Sequence, residues 1–476
     1  MKRIHFIGIC GVAMSALAVA FHKESWEVTG SDVGFYPPIS DYLKDNNISF
    51  YPGWHPEKMA ANDDPDIVVV GNVAGTTNPE FIYARKNNLN YKSYPEVIAE
   101  YIVQKNSLVC AGTYGKTSTA ALLTFILKNA GVNPSYMFGG LSLNLQESAK
   151  IKSDNTSWSV LEGDEYKTAR WDSRPKFKLY SPTHLLLTSV SWDHADIYPT
   201  EETYLQAFKD LVGMIPTTGL IVACADDTKI KGVLSGNIAG AKEITYGKDQ
   251  SADYCYSRVT QTAAGISFTI KYKNAEYNIA APVLGEHMAE NICGAFAMAK
   301  EIGIEEKTVL NAVAKFKGIK RRLEKRSAED MAVYDDLGHS PAKAAATLRT
   351  LRAIYPNNKI IAIFEPNTGN RKSQSIPGYA NAFADADEVI IPTLTRIKID
   401  PKDTDPPFDG KKLTEIISKT QPQTVYIESD DKLIEYVLKN VKKSSSGRSP
   451  VGREDVVVFL GSHGFRGMIE KLIAEN

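Results

Sequence analysis

Residues 107–130 constrain the fold of this chain more than any other stretch. Ser107-Leu108-Val109-Cys110-Ala111 is an apolar run of strand length, and Gly112-Thr113-Tyr114-Gly115-Lys116-Thr117-Ser118 follows it directly. From Lys116 onward Leu122, Leu123, Ile126 and Leu127 share one face at helical spacing, until Gly131 and Pro134 end the pattern. A strand, a glycine loop and a helix in that order form the repeating unit of a parallel α/β sheet. The loop then lies at the carboxyl end of the strand, where anions bind. Its glycines let backbone N–H groups turn inward onto phosphate oxygens, Lys116 reaches the outer phosphates, and the Thr117 hydroxyl is placed to ligate Mg²⁺. The full eight-residue pattern would have Gly where Cys110 stands. A glycine turn with a surface lysine is the competing explanation, and the flanking strand and helix argue against it.

The same alternation extends over the 476 residues in three blocks. The first predicts strands at Ile4 to Ile9, Glu27 to Thr29 and Asp66 to Val70, and ends near Tyr101 to Lys105. Ile67-Val68-Val69-Val70, between Pro65 and Gly71, reads as a strand covered on both faces. The second adds strands at His184 to Thr188 and Gly219 to Cys224, a hairpin over Tyr254 to Tyr277 and a helix from Glu290 to Ile302. The third, from about Arg321, has strands at Met331 to Tyr334, Lys359 to Phe364, Glu388 to Ile391, Thr424 to Ile427 and Val456 to Leu460. Lys442 to Arg453 is too polar to pack and reads as a surface loop. The expected architecture is α/β: three consecutive domains with mostly parallel sheets, over 1–104, 105–320 and 321–476. A Rossmann-like domain comes first, a P-loop domain second and another Rossmann-like domain last.

Composition narrows the functions open to such a chain. Lys plus Arg number 55 against 56 for Asp plus Glu, so no bulk positive charge points to nucleic acid. Cys10, Cys110, Cys224, Cys255 and Cys293 are scattered, with no C-x-x-C pair, which fits a reducing cytoplasm better than a disulfide framework or zinc knuckle. Met1-Lys2-Arg3, the apolar run to Phe21 and Ala18-Val19-Ala20 have the outline of a signal peptide. His5, Gly8 and Gly11 inside that run, and the continuation Trp26 to Asp32, are better explained by strand, turn, helix and strand. No other stretch approaches the roughly 20 apolar residues of a membrane span.

Further candidate residues sit where loops follow strands. Glu162-Gly163-Asp164-Glu165 and Asp193-His194-Ala195-Asp196 can place carboxylate and imidazole at the edge that carries the phosphate loop, to hold Mg²⁺ against a triphosphate or to cap helices. Gly8-Ile9-Cys10-Gly11-Val12-Ala13-Met14-Ser15, with Asp32 beyond, is a second anion-type turn. Met14 stands where a nicotinamide-binding loop would carry its third glycine, so an oxidoreductase is the weaker reading. In the third block the candidates are Arg321-Arg322, Asp335-Asp336-Leu337-Gly338-His339-Ser340-Pro341 and Glu365-Pro366-Asn367-Thr368-Gly369-Asn370-Arg371.

This ordered set spans nearly the whole chain and resembles the Mur ligases of peptidoglycan synthesis. It comprises G-x-x-G-x-x-M-S, G-T-x-G-K-T-[ST], E-x-D-E, D-H-x-D, G-x-H-x-x-x-N, R-R and D-D-x-x-H. The resemblance implies an N-terminal domain binding UDP-N-acetylmuramate, a central ATPase domain and a C-terminal domain admitting an amino-acid or peptide acceptor. It implies ATP and Mg²⁺ as cofactors, and an acyl phosphate of the sugar's lactyl carboxylate that the acceptor amine attacks. By the same resemblance, Lys116, Glu162 and His194 are catalytic. Thr117, Glu162 and His194 hold the metal. Gly112, Thr113, Gly115, Lys116, Thr117, Ser118, Asn291, Arg322 and Asp336 bind ATP. Gly8, Gly11, Met14, Ser15 and Asp32 bind the UDP-sugar, and His339, Arg371 and Arg466 bind the acceptor.

Within the family, Asp164 to Phe177 looks like an insertion, setting His194 32 residues after Glu162. That insertion, with Gly464-Phe465-Arg466-Gly467-Met468, resembles the member that adds a preformed tripeptide, L-alanyl-γ-D-glutamyl-meso-diaminopimelate, in peptidoglycan recycling. The alternative is the member that adds free L-alanine, and a P-loop regulatory ATPase without ligation is more remote. Tyr114, Ser189, Met288, Ser340 and Asn370-Arg371 depart from the expected pattern. Lys209 lies one position out of register with a lysine that some relatives carry carbamylated.

Overall fold

The computed structural model describes every residue except 37–38, 62, 73, 195, 237–239, 328–330, 396–404, 442–454 and 476. The polar stretch Lys442 to Arg453 thus lies outside the described residues, as does Ala195. The first sheet is built from β1 (Arg3–Ile7), β2 (Glu27–Asp32), β3 (Ser49–Pro52), β4 (Ile67–Val70) and β5 (Tyr91–Ser93). They pair in parallel in the order β3-β2-β1-β4-β5. All four residues of β4 are buried, as its unbroken β-branched run predicts. The edge strands β3 and β5 are short and partly exposed, and so carry little hydrophobic signal. The apolar start of the chain is β1 followed by the helix Val12–Lys23, with Ala18-Val19-Ala20 buried inside that helix.

The second sheet takes β6 (Asn106–Ala111), β7 (Ser135–Met137), β8 (Ala149–Lys150) and β9 (Trp158–Gly163). After a separate hairpin of β10 (Lys167–Ala169) and β11 (Asp172–Pro175), it continues with β12 (His184–Leu187), β13 (Leu220–Cys224) and β14 (Lys242–Gly247). It ends with β15 (Tyr254–Thr262), β16 (Gly265–Tyr272) and β17 (Ala275–Ala281). The order is β17-β16-β15-β14-β13-β12-β6-β9-β7-β8. The hairpin expected over Tyr254 to Tyr277 is therefore a three-stranded meander: Lys273-Asn274 makes a second turn that the Tyr/Thr-rich pattern hid. The helix expected from Glu290 begins a turn earlier, as Glu286–Glu301, after Gly285.

β6 sits where the chain reverses its direction of growth across the sheet, with β9 on one side and β12 on the other. Loops at the carboxyl ends of strands around such a reversal form a ligand crevice.

The third sheet comprises β18 (Glu324–Ser327), β19 (Ala332–Asp336), β20 (Ile360–Glu365), β21 (Glu388–Pro392), β22 (Thr424–Ile427) and β23 (Val456–Gly461). Its order is β18-β19-β23-β20-β21-β22, with only β18 antiparallel.

By its contacts the chain divides into two units: Met1–Thr260 with Gly265–Ile319, and Lys320–Asn476 with Gln261–Ala264. The first unit holds the first two sheets over one continuous apolar core that runs from Ile4 to Ile319. Among the described residues no helix is long and apolar enough to cross a membrane.

Candidate active site

The loop after β6 is shaped by two glycines that tolerate no side chain. Gly112 has φ +136°, and a Cβ there would lie 2.3 Å from Thr188 Oγ1. Gly115 has φ +81°, and its Cβ would lie 2.4 Å from the buried Asn291 Oδ1. The loop is tied to the segment after β12: Thr113 N donates to Ser189 O at 2.9 Å, and Tyr114 N to Ser189 Oγ at 3.0 Å. Ser189, where Asn was expected, thus serves as an anchor for the phosphate loop. Thr113 Oγ1 donates to Ser191 O at 2.8 Å, and Tyr204 OH lies 2.8 Å away. Cys110 is fully buried inside β6, one residue short of the loop, so the missing glycine is a strand core position. Tyr114 is 57% exposed.

Register brings the carboxylates to this loop. Glu162 is the penultimate residue of β9 and pairs with Cys110 of β6. It accepts from Thr117 Oγ1 at 2.8 Å and from Gly139 N at 2.6 Å. The Lys116 ammonium is held by Glu165, at 2.8 and 3.1 Å from its two carboxylate oxygens. Glu165 is buried and also meets Tyr204 OH at 3.3 Å and His194 Nε2 at 3.5 Å. Hydrogen bonding to Glu165 raises the His194 imidazole above its ordinary value, against the effect of burial. Burial alone would raise the Asp164 carboxyl, but Lys176 and then Lys116 outweigh it and hold it low.

Of the expected metal set, then, Thr117 and Glu162 are in contact, while His194 is paired with Glu165. The Thr117 hydroxyl and Glu162 carboxylate are hard oxygen donors that suit Mg²⁺. Among the described residues, the one trio of His, Cys, Asp or Glu ligand atoms within 4.8 Å is Cys224, Asp226 and Glu290. Burial and then the Asp226 charge push the Glu290 carboxyl up to about 7.

The inserted segment Asp164 to Phe177 folds as the β10–β11 hairpin and its flanks. At its tip Arg170 Nε donates to Asn72 O at 2.8 Å, and Trp171 packs on Phe81 and Tyr91 of the first sheet's layer. At its far end Lys176 pairs with Asp164 and lies over the rings of Tyr94 and Tyr166.

In the first sheet, Gly8 N and Ile9 N both donate to Ser31 O, at 2.8 and 3.1 Å, and Gly11 caps the helix that follows. Asp32 accepts from Cys10 N at 2.9 Å and from Val33 N at 2.7 Å, so its carboxylate shapes the glycine turn. Met14 and Ser15 are buried behind that turn, and Ser15 Oγ donates to Val12 O at 3.0 Å.

In the third sheet, Asp336 accepts from Leu323 N at 2.7 Å and from Thr347 Oγ1 at 3.0 Å. Arg322 is exposed, whereas Arg321 donates to Gly461 O at 2.8 Å and His463 O at 2.7 Å. His339 is half-buried with Nδ1 2.7 Å from Leu337 O; burial and then Lys343 lower its pKa. Arg371 is buried and donates to Phe408 O at 2.9 Å and Thr395 O at 3.1 Å. Arg466 pairs with Asp430 through two contacts of 2.8 and 2.9 Å and with Glu365 at 3.2 Å. Sequence reasoning placed Glu165 and Arg321 within candidate motifs but gave neither a role; the structure makes Glu165 the countercharge of Lys116 and Arg321 the donor to the Gly461 and His463 carbonyls.

Residues 3–106 match the Mur ligase family catalytic domain, residues 110–299 the Mur ligase middle domain, and residues 321–463 the Mur ligase glutamate ligase domain. The chain belongs to the Mur ligase family. It is an ATP-dependent ligase that forms an amide bond. A Haemophilus influenzae relative named UDP-N-acetylmuramate–L-alanyl-γ-D-glutamyl-meso-2,6-diaminoheptandioate ligase is 32% identical over 78% of this chain and 81% of its own length. A Brachyspira hyodysenteriae relative named UDP-N-acetylmuramate–L-alanine ligase is 28% identical over 97% of this chain and 95% of its own. The crystal structure of a Psychrobacter arcticus murein peptide ligase has a TM-score of 0.70 at 27% identity, covering 100% of this chain and 98% of that one. With the family fixed, the regulatory ATPase and the nicotinamide oxidoreductase fall away.

Proposed function

We propose that this Mur ligase joins UDP-N-acetylmuramate to the amine of L-alanyl-γ-D-glutamyl-meso-diaminopimelate, forming ADP and phosphate, in peptidoglycan recycling. In this reading residues 1–104 bind the UDP-sugar, 105–320 bind ATP and Mg²⁺, and 321–476 bind the acceptor. The five unpaired cysteines fit a cytoplasmic enzyme. The observation that carries the acceptor choice is the inserted segment Asp164 to Phe177, folded as a hairpin on the first sheet's layer. The identity to the Haemophilus relative supports it.

Phosphoryl transfer to a carboxylate brings two anions together, so the residues' first task is neutralisation and alignment. Backbone N–H groups of 115–118, at the start of the helix Lys116–Asn129, cradle the phosphates, and Lys116 passes from Glu165 to the triphosphate. Thr117 and Glu162, with His194 nearby, would hold Mg²⁺, which supplies further charge neutralisation when bound. Glu165 keeps the Lys116 ammonium close to the loop before nucleotide arrives. The lactyl carboxylate attacks the γ-phosphorus, the bond from that phosphorus to the β–γ bridging oxygen breaks, and ADP leaves, giving an acyl phosphate. The neutral acceptor amine then adds to that carbonyl, the nitrogen loses a proton to solvent, and phosphate leaves as the amide forms.

The reading that adds free L-alanine instead is favoured by the longer coverage of the Brachyspira relative. Phosphate release with UDP-N-acetylmuramate and either acceptor decides between the two. Faster turnover with the tripeptide is expected, and robust ligation of L-alanine with none of the tripeptide would overturn the assignment.

A further inference from the structure

Cys224, Asp226 and Glu290 take no part in the steps above. Cys224 is the last residue of β13, Asp226 lies two residues on in the loop, and Glu290 stands on the helix Glu286–Glu301, which packs over β13 and β14. Their ligand atoms, the thiol sulfur and one oxygen of each carboxylate, lie within 4.8 Å of one another. Cys224 is buried, Glu290 half-buried and Asp226 exposed, so solvent reaches the trio from the Asp226 side. The loop after β14 fixes that carboxylate: Lys248 N donates to it at 2.8 Å and Asp249 N at 3.0 Å. Gly247 makes the room, since a Cβ there would lie 2.6 Å from Asp226 Oδ1. Two N–H bonds leave the carboxylate lone pairs to spare.

A fourth group faces the trio. Tyr246 pairs with Cys224 in the β13–β14 register, so the two side chains stand side by side on one face of the sheet. Its ring is pressed on the helix, with Cζ 2.7 Å from where a Cβ of Gly294 would lie, one turn beyond Glu290. Tyr246 is fully buried, and its OH has no hydrogen-bond partner among the described residues. A buried hydroxyl without a partner is costly and rare. Burial, then Cys224 and then Glu290 raise the phenol well above its ordinary value, as expected for an OH beside the trio. Burial and then Glu290 also push the Cys224 thiol up to about 12. The base that faces Glu290, Lys248, is paired with Glu286 and 52% exposed. Acids crowded in this way give up their protons to a cation that sits among them.

We propose that Cys224, Asp226 and Glu290 bind a zinc-class divalent cation, at a site that shares no residue with the Mg²⁺ ligands of the ATP site. One thiolate and two carboxylates suit tetrahedral zinc, whereas Mg²⁺ takes oxygen ligands. On binding, the Cys224 thiol and the Glu290 carboxyl each release a proton to solvent. Water completes the coordination and donates to the Tyr246 oxygen. Asn291, next to Glu290, stands against Gly115, so the ion braces the helix end on which the phosphate loop leans.

Cobalt(II) is the probe, because a thiolate ligand gives it a sulfur-to-metal charge-transfer band and tetrahedral coordination gives strong visible bands. The full chain, stripped of metal and kept reduced, is titrated with Co²⁺ while excess Mg²⁺ fills the Thr117–Glu162 site. Both sets of bands should saturate at one equivalent and disappear when Zn²⁺ is added. Cys224→Ser should abolish the charge-transfer band. Glu290→Gln and Tyr246→Phe should each weaken Co²⁺ binding by about 10-fold or more, and both preserve the pocket's shape should Cys224→Ser fail to fold. A wild-type protein without the thiolate band, a band retained in folded Cys224→Ser, or unchanged affinity in both Glu290→Gln and Tyr246→Phe would overturn the site.

Discussion

Replacing Lys116 by Met tests the centre of the site, because it removes one cation with two separable consequences. The ammonium lies 2.8 Å from a Glu165 oxygen, and side-chain exposure is 13% for the lysine and 1% for the glutamate. Stranding a buried carboxylate in this way costs about 3–5 kcal/mol when nothing replaces the partner. Here Tyr204 OH at 3.3 Å and His194 at 3.5 Å compensate in part, so the low end of that range, about 3 kcal/mol, is expected. At roughly 2 °C per kcal/mol for a unit of this size, the melting temperature should fall by about 6 °C. Catalysis should fall by at least about 100-fold, the cost of losing one electrostatic stabiliser of the transferred phosphoryl group.

The double variant Lys116→Met/Glu165→Gln separates the two effects. Removing the stranded charge should restore most of the melting temperature, while ligation stays lost. Thermal melts followed by phosphate release with ATP, Mg²⁺, UDP-N-acetylmuramate and the tripeptide provide both readouts. Near-normal turnover in the single variant would refute the phosphate-loop assignment. A double variant no more stable than the single would refute the account of Glu165 as a buried countercharge.

Glu162→Gln and His194→Ala should each raise the Mg²⁺ concentration giving half-maximal activity, since one weakens and the other removes a donor; titrations that superimpose on wild type would leave both as structural residues. Glu290 supplies a pH test in the ligand-free protein. Its carboxyl keeps a proton up to about 7 when folded, against a usual value of 4.5, so its contribution to stability is complete below about pH 4.5 and is lost as pH rises through about 7. Glu290→Gln should therefore melt above wild type at pH 8, by the equivalent of about 2 kcal/mol after discounting for partial exposure, and match it at pH 4.5; parallel pH profiles would rule this out.

The sequence by itself determined the three α/β blocks, the parallel strands and the phosphate loop. Each of these is local: β-branched runs, helical spacing and glycines in a strand–loop–helix context are written within a few residues of one another. Thus β22 was read without error, and β6 and the helix after it to within a residue. The misses were of two physical kinds. Short edge strands such as β3 and β5, and the third strand of the meander, lack a hydrophobic signal because only one side of each is covered. Pairings across long separations were also invisible. Nothing in the spacing says that Glu165, 49 residues from Lys116, carries its countercharge, or that Arg321, 142 residues from His463, holds that loop's carbonyl. The metal set, too, needed the β6–β9 register, which puts Glu162 against Thr117 while His194 turns to Glu165. Local composition selects elements because backbone preferences act over a turn or a strand. Which charge meets which is decided only when buried groups must find partners in the packed chain.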